Sequence, residues 1–410
     1  PMKKYSAAAV ALIAAMCAGC LVASAASGSE DQPTPVYNST RSAVERVMKR
    51  AVPRLQYDGG MPADSLDAWR EAMSEAMRGL MRHPDAPAAS PRKVTESRRD
   101  GYVIERWESF PLDENPVAYF VMRPDSADVS RAAVLCIPGS GQTKELLAGE
   151  RSGNFMLDGE ADSIVRRAAM GLHFVKRGLT AVVVDNPCFG EQSDGGVYDD
   201  ITPSRFLLET GWSYLGLASW YDKVVLDWMK TQPDIDKNRI IVSGFSLGTE
   251  PMMALGLLDS SIYAFVYNDF LCRTRERALV LNARDEDGRR GYPNSIRHLI
   301  PGFLTQFDFP DIVAALSPRP VICTEGGLDR DFRLIEDAYR KSGAPEAFEW
   351  HHYAKYADEA SRTDYDALPD GLSRDEFYRM VNVDGPNHYF KMEWVGPWLD
   401  RLLRSMATAE

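Results

Sequence analysis

Short apolar runs alternate with longer amphipathic stretches through most of this chain. Residues 132–137, 179–184, 240–243, 263–267, 320–324 and 347–351 are too short for helices and apolar on successive positions, so each reads as a buried strand. Between them, residues 162–177 carry helical periodicity up to a stop at Gly178, and 212–231 form a long amphipathic segment. Residues 249–258 and 393–406 read as further helices. Strands that alternate with helices imply a mainly parallel sheet covered on both faces. Upstream, 93–107 and 117–122 read as two strands parted by the turn-rich Pro111-Leu112-Asp113-Glu114-Asn115. Earlier still, 40–55 and 65–81 are helical, the second with Leu66, Trp69, Met73, Met77 and Leu80 near one face. These two helices predict an N-terminal extension that caps the main domain or covers part of a cleft.

The first residues do not fit this alternation. Met2-Lys3-Lys4 is a short positive start, 7–22 is apolar and rich in alanine, and Ala23-Ser24-Ala25 is a small-residue cleavage pattern. Together they predict a secretory signal peptide over 1–26, cut after Ala25 or Ala26, and a secreted or periplasmic protein. A retained anchor is the first alternative, although this apolar stretch is short for a span. Lipidation of Cys17 or Cys20 is the second, since Ala18-Gly19-Cys20 partly matches a lipoprotein signal. Residues 27–92 then form a leader and the helical extension, and 93–410 the main domain. The formal charge of −12 argues against nucleic acid and anionic membranes as partners. Cys136 and Cys323 fall inside strands, while Cys188 and Cys272 follow two different strands and could pair in an oxidising compartment. No cysteine or histidine spacing suggests zinc.

Gly244-Phe245-Ser246-Leu247-Gly248 sits between the strand at 240–243 and the helix at 249–258. Strand, sharp glycine turn and helix is the setting in which a G-x-S-x-G serine projects out of a sheet as a nucleophile. A serine hydroxyl also needs a base, a group that orients the base, and donors for the developing oxyanion. Of six histidines, His388 fits the base best, lying in a loop between the last strand and the C-terminal helix; His351 and His352 are the fallback. For the acid, the strand at 320–324 runs through Glu325-Gly326-Gly327-Leu328 to Asp329, which is the preferred carboxylate. Asp269, Glu325 and Asp331 remain rivals. The oxyanion donors are expected to be the N–H of Leu247 and, from the loop Pro138-Gly139-Ser140-Gly141-Gln142, the N–H of Ser140. This chemistry requires no cofactor and no metal. Phe189, Trp212 and Trp220 lie near the expected mouth, either as sugar-stacking rings or as core.

These motifs resemble the α/β-hydrolase superfamily, in particular its secreted branch of dienelactone hydrolases and acetyl xylan esterases. Ile137-Pro138-Gly139-Ser140-Gly141 stands where that family has a His-Gly loop, with Pro for His. Asp185-Asn186-Pro187-Cys188-Phe189-Gly190-Glu191 resembles its Asp-x-x-Gly-x-Gly-Glu segment, and 226–240 its approach to the serine turn. The resemblance implies an α/β-hydrolase fold with a mainly parallel central sheet. It implies a serine esterase acting on a small-molecule or carbohydrate ester, with acetyl, feruloyl or methyl glucuronoyl groups as candidates. A peptidase on the same fold and a silent scaffold that binds glycan or protein are the alternatives. Two departures stand out. The interval from Asp329 to His388 is long for this branch, and 354–380 reads as an insertion beside the site. The family's acid can also lie one strand earlier, which keeps Asp269 in contention.

Overall fold

The computed structural model describes residues 38–85, 89–112, 115–126, 131–150, 167–279, 295–353, 358, 360, 368, 372–373 and 388–408. The expected signal peptide, and all but five isolated positions of the expected insertion, lie outside them. The chain divides into two compact units, residues 1–48 and 49–410. In the first, the described part is most of helix α1 (Thr40–Arg50), none of whose side chains is buried.

The second unit is built on one nine-stranded sheet, with strands in the order β1-β2-β3-β5-β4-β6-β7-β8-β9. In chain order these are β1 (Ala89–Arg99), β2 (Tyr102–Leu112), β3 (Asn115–Pro124), β4 (Ala133–Ile137), β5 (Thr180–Val184), β6 (Ile240–Phe245), β7 (Ala264–Asn268), β8 (Val321–Cys323) and β9 (Phe348–Trp350). The first three are antiparallel, β3 joins β5 antiparallel, and every pair from β5 to β9 is parallel. The segment read as one strand over 93–107 is therefore two. The chain reverses at Asp100-Gly101, where Gly101 takes a φ of 81° that other residues avoid.

Helices cover both faces, because residues of the central strands point alternately to two cores. On one side Leu135, Ile137, Val182, Val184 and Val242 pack with helices α2 (Leu66–Met81), α3 (Tyr214–Met229), α4 (Thr249–Leu258) and α5 (Asp329–Lys341). On the other, Val134, Cys136, Val183 and Ile241 meet Phe174, Val395, Trp398 and Leu399, the last three from helix α6 (Met392–Thr408). Leu66, Trp69, Met73, Met77 and Met81 of α2 are all buried in the first core, so α2 packs directly with the sheet's own residues. Cys136, Cys188, Cys272 and Cys323 are free thiols, and the expected pairing of Cys188 with Cys272 is not formed. Among the described residues no helix is long and apolar enough to cross a membrane.

Candidate active site

The site lies at the carboxyl ends of the parallel strands, as expected of an open α/β sheet. β6 ends at Phe245, and Ser246 follows with a φ of 50°, a left-handed conformation costly for a residue with a Cβ. The neighbouring glycines make the turn possible. A Cβ on Gly244 would stand 2.5 Å from the Gly248 carbonyl oxygen, and one on Gly248 would stand 2.3 Å from that of Ile137. The Thr249 hydroxyl donates to the Ser246 carbonyl at 2.7 Å and ties the turn to the start of α4.

The loop after β4 lies against this turn. A Cβ on Gly139 would fall 3.1 Å from the Ser246 Cβ. The Gly139 N–H is taken by the Gln142 side chain at 3.1 Å, and Asn186 Nδ2 donates to the Pro138 carbonyl at 2.8 Å. Among the described residues the Ser140 and Gly141 N–H groups have no acceptor in the protein. Leu247, next to the serine, is buried beside Phe189 and Tyr214. The Ser140 hydroxyl accepts from Arg297 Nη2 at 3.1 Å, and Arg297 Nη1 also bonds the Tyr198 hydroxyl and the buried Asp200 carboxylate.

His388 sits over the ring of Phe245, the residue before the serine, with ring centroids 4.6 Å apart. Its Nδ1 meets Glu325 Oε2 at 2.6 Å, and Glu325 is 1% exposed. Asn268, at the end of β7, donates to Glu325 Oε1 at 3.0 Å and accepts from the Lys391 N–H at 2.8 Å. One amide thus holds both the carboxylate and the chain that carries His388. Burial alone would lower the His388 pKa. The hydrogen bond and charge of Glu325, with the charge of Asp269, outweigh burial and leave the pKa above 6.5. Asp269 also feels burial most, which raises its pKa, while Arg277 and His388 act to lower it.

Asp329, the carboxylate preferred from sequence, is placed elsewhere: its Oδ1 meets His352 Nε2 at 2.7 Å. The reason is the path after β8. Gly326 turns the chain at φ 80°, and Gly327 bridges to Leu271, so closely that a Cβ there would be 2.6 Å from the Leu271 carbonyl oxygen. Glu325 is left at the strand end, facing His388, whereas Asp329 already begins α5. The other histidines are engaged elsewhere. His351 meets Glu349 at 2.8 Å, His298 meets Glu250 at 2.9 Å, and His83 meets Ser219 at 2.8 Å. Asp331 meets Arg273. On sequence grounds Glu325 is only a rival, and no motif marks Arg297.

Asp269, Glu325 and His388 also bring ligand atoms within 4.8 Å of one another, a spacing open to a metal ion. The 2.6 Å contact between His388 and Glu325 gives the same cluster a simpler use, a shared proton that fixes the imidazole. A cavity of about 850 Å³ lies apart from all these groups, between α2, β1 and α3. Trp220 lines it, so the mouth expected near that residue is not there. Phe189 and Trp220 are buried, and Trp212 donates its indole N–H to the Met81 carbonyl.

One solved structure shares this architecture closely. A crystal structure from Bacteroides fragilis, of a protein provisionally assigned as an acetyl xylan esterase, is 48% identical, with a TM-score of 0.80 over 91% of this chain and 97% of that one. A methylesterase is 15% identical, with a TM-score of 0.49 over 85% of this chain and 76% of its own. A glucuronoyl esterase from Solibacter usitatus is 14% identical, with a TM-score of 0.49 over 71% and 88%. No curated protein matches the chain. The profile of the Abhydrolase family matches residues 24–401, nearly the whole chain, and with the sheet order and serine turn described above the protein belongs to that α/β-hydrolase family.

Proposed function

We propose that this protein is a serine esterase in which Ser246 is the nucleophile, His388 the base and Glu325 the orienting acid. The observation that carries the reading is Ser246 at φ 50° on the turn after β6, next in the chain to the Phe245 ring on which His388 packs, with the His388 Nδ1 held by a buried carboxylate at 2.6 Å. Glu325 takes the role that sequence reasoning gave to Asp329, and Asp269 adds a second negative charge near the imidazole. Ser246 Oγ attacks the ester carbonyl as His388 takes its proton. The tetrahedral oxyanion is held by the N–H groups of Leu247 and Ser140. Collapse breaks the bond to the alcohol, which leaves with the proton from His388. Water then attacks the acyl-enzyme with the same base, releasing the acid and restoring Ser246.

The Bacteroides fragilis relative supports an acetyl or other small acyl group on a carbohydrate as the substrate class. The positive, apolar and small-residue pattern over residues 2–26 supports export, which suits a substrate found outside the cell.

Hydrolysis of p-nitrophenyl acetate by residues 27–410 tests the reading. Ser246→Ala and His388→Ala are expected to lower kcat by at least about 10³-fold, and Glu325→Gln by on the order of 10²–10⁴. Asp329→Asn is expected to keep activity within about threefold, as a residue outside the reacting groups should. Full activity in Ser246→Ala sinks the mechanism. A collapse in Asp329→Asn with full activity in Glu325→Gln returns the acid to Asp329.

A further inference from the structure

One aromatic ring linked to the site is open rather than buried. Phe189 and Trp220 are core residues, but Tyr198 keeps 36% of its surface open. Its ring is fixed from two sides. Phe189 packs on it with centroids 4.2 Å apart, and its hydroxyl meets Arg297 Nη1 at 2.6 Å. Both supports lead back to the reacting groups. Phe189 packs in one cluster with Leu247, and the Nη2 of the same guanidinium reaches the Ser140 hydroxyl at 3.1 Å. A single guanidinium therefore spans the gap between the open ring and the loop that lies against Ser246.

The chemistry of this corner is selective. A pyranose presents an apolar C–H face and a rim of hydroxyls. A ring held rigid, with a planar polar group at its edge, complements both at little entropic cost. Arg297 engages Tyr198 and Asp200 through Nη1 and Ser140 through Nη2, and its Nε is buried, which leaves one Nη2 N–H for a hydroxyl. Asp200 is buried and sits against the guanidinium, so the charge of Arg297 is already balanced. That arrangement favours a neutral sugar over a uronate. We propose that Tyr198, with Arg297 at its edge, forms the subsite for a neutral pyranose that carries or adjoins the ester. The proposal deepens the esterase reading and rests on it for the position of the scissile bond.

Calorimetric titration separates the two. Xylohexaose, cellohexaose, mannohexaose and oligogalacturonate are titrated into the wild type, Ser246→Ala, Tyr198→Ala and Tyr198→Phe. At least one neutral oligosaccharide is expected to bind the wild type and Ser246→Ala alike. Tyr198→Ala, with its fold checked by circular dichroism, should weaken binding about tenfold, and Tyr198→Phe, which keeps the ring, about threefold or less. Tyr198→Phe as damaging as Tyr198→Ala would overturn the proposal. So would preferred binding of oligogalacturonate, or no neutral sugar binding at all. Absence of Ser246-dependent hydrolysis of p-nitrophenyl acetate is a separate result: it defeats the esterase reading while the binding heats still report on Tyr198.

Discussion

His388 shows how one residue's surroundings set its chemistry. The imidazole works as a base only when neutral, and its pKa lies above 6.5 because Glu325 and Asp269 outweigh burial and Lys391. The acid limb of kcat/KM should therefore have its midpoint above pH 6.5. Asp269→Asn removes one charge that favours the imidazolium, so the pKa falls and the limb moves to lower pH. Removing the charge of Lys391 acts in the opposite sense, because that ammonium lowers the pKa now. A pH–rate profile of Asp269→Asn that matches the wild type would show that Asp269 does not reach the base. The serine and histidine of this proposed group are candidates from sequence because of their setting, a strand, glycine turn and helix around Ser246 and a loop before the last helix around His388. The acid proposed here, Glu325, is only a rival there. Glu325 and Asp329 flank one glycine turn, and only the path through Gly326 and Gly327 decides which of them faces inward.

At the scale of elements, the strand-turn-helix unit around Ser246 is held by contacts with no slack. Gly248→Ala would place a methyl group 2.3 Å from the Ile137 carbonyl oxygen, in the backbone of the strand next to β6. Neither side can yield as a flexible side chain would, so the substitution should cost at least about 1–3 kcal/mol. A lower midpoint in chemical denaturation, with activity falling as the turn at Ser246 shifts, is the expected result. A wild-type midpoint would mean the backbone relaxes there at no cost. Arg297 acts on the neighbouring loop. Arg297→Ala frees the Ser140 hydroxyl and leaves the buried Asp200 without its cation, with the Ser295 hydroxyl still donating to it. We expect kcat to fall about tenfold to a hundredfold, and Ser140→Ala combined with Arg297→Ala to be no worse than Arg297→Ala alone. Additive losses would show that Arg297 does not act through that loop. The hairpin at Asp100-Gly101 carries the opposite lesson. Its Asp-Gly turn signal was present, but Arg98, Arg99 and Asp100 gave no apolar alternation to mark where one strand ended and the next began.

For the whole molecule, the amphipathic pattern of α2 was legible because Leu66, Trp69, Met73 and Met77 recur at helical spacing, yet the pattern cannot say what the apolar face meets. It meets the sheet's own core, in one cluster with Leu135, Val182 and Ile312. The second helix of the expected extension therefore shares one core with the domain expected from residue 93. Leu66, Met73, Met77 and Met81 are each 2% exposed or less, and burying such a side chain contributes about 1.5–3 kcal/mol. Four of them, with Trp69 besides, approach the whole net stability of about 5–15 kcal/mol that a folded domain has. A chain of residues 93–410 should consequently lose its cooperative unfolding transition and its near-ultraviolet circular dichroism. Met73→Ala in the full chain should lower stability by about 2–5 kcal/mol, because the cavity it leaves is walled by packed side chains on a rigid sheet. If residues 93–410 unfold cooperatively and retain Ser246-dependent activity, α2 is an addition to a complete fold after all, and its packing contributes far less than its burial implies.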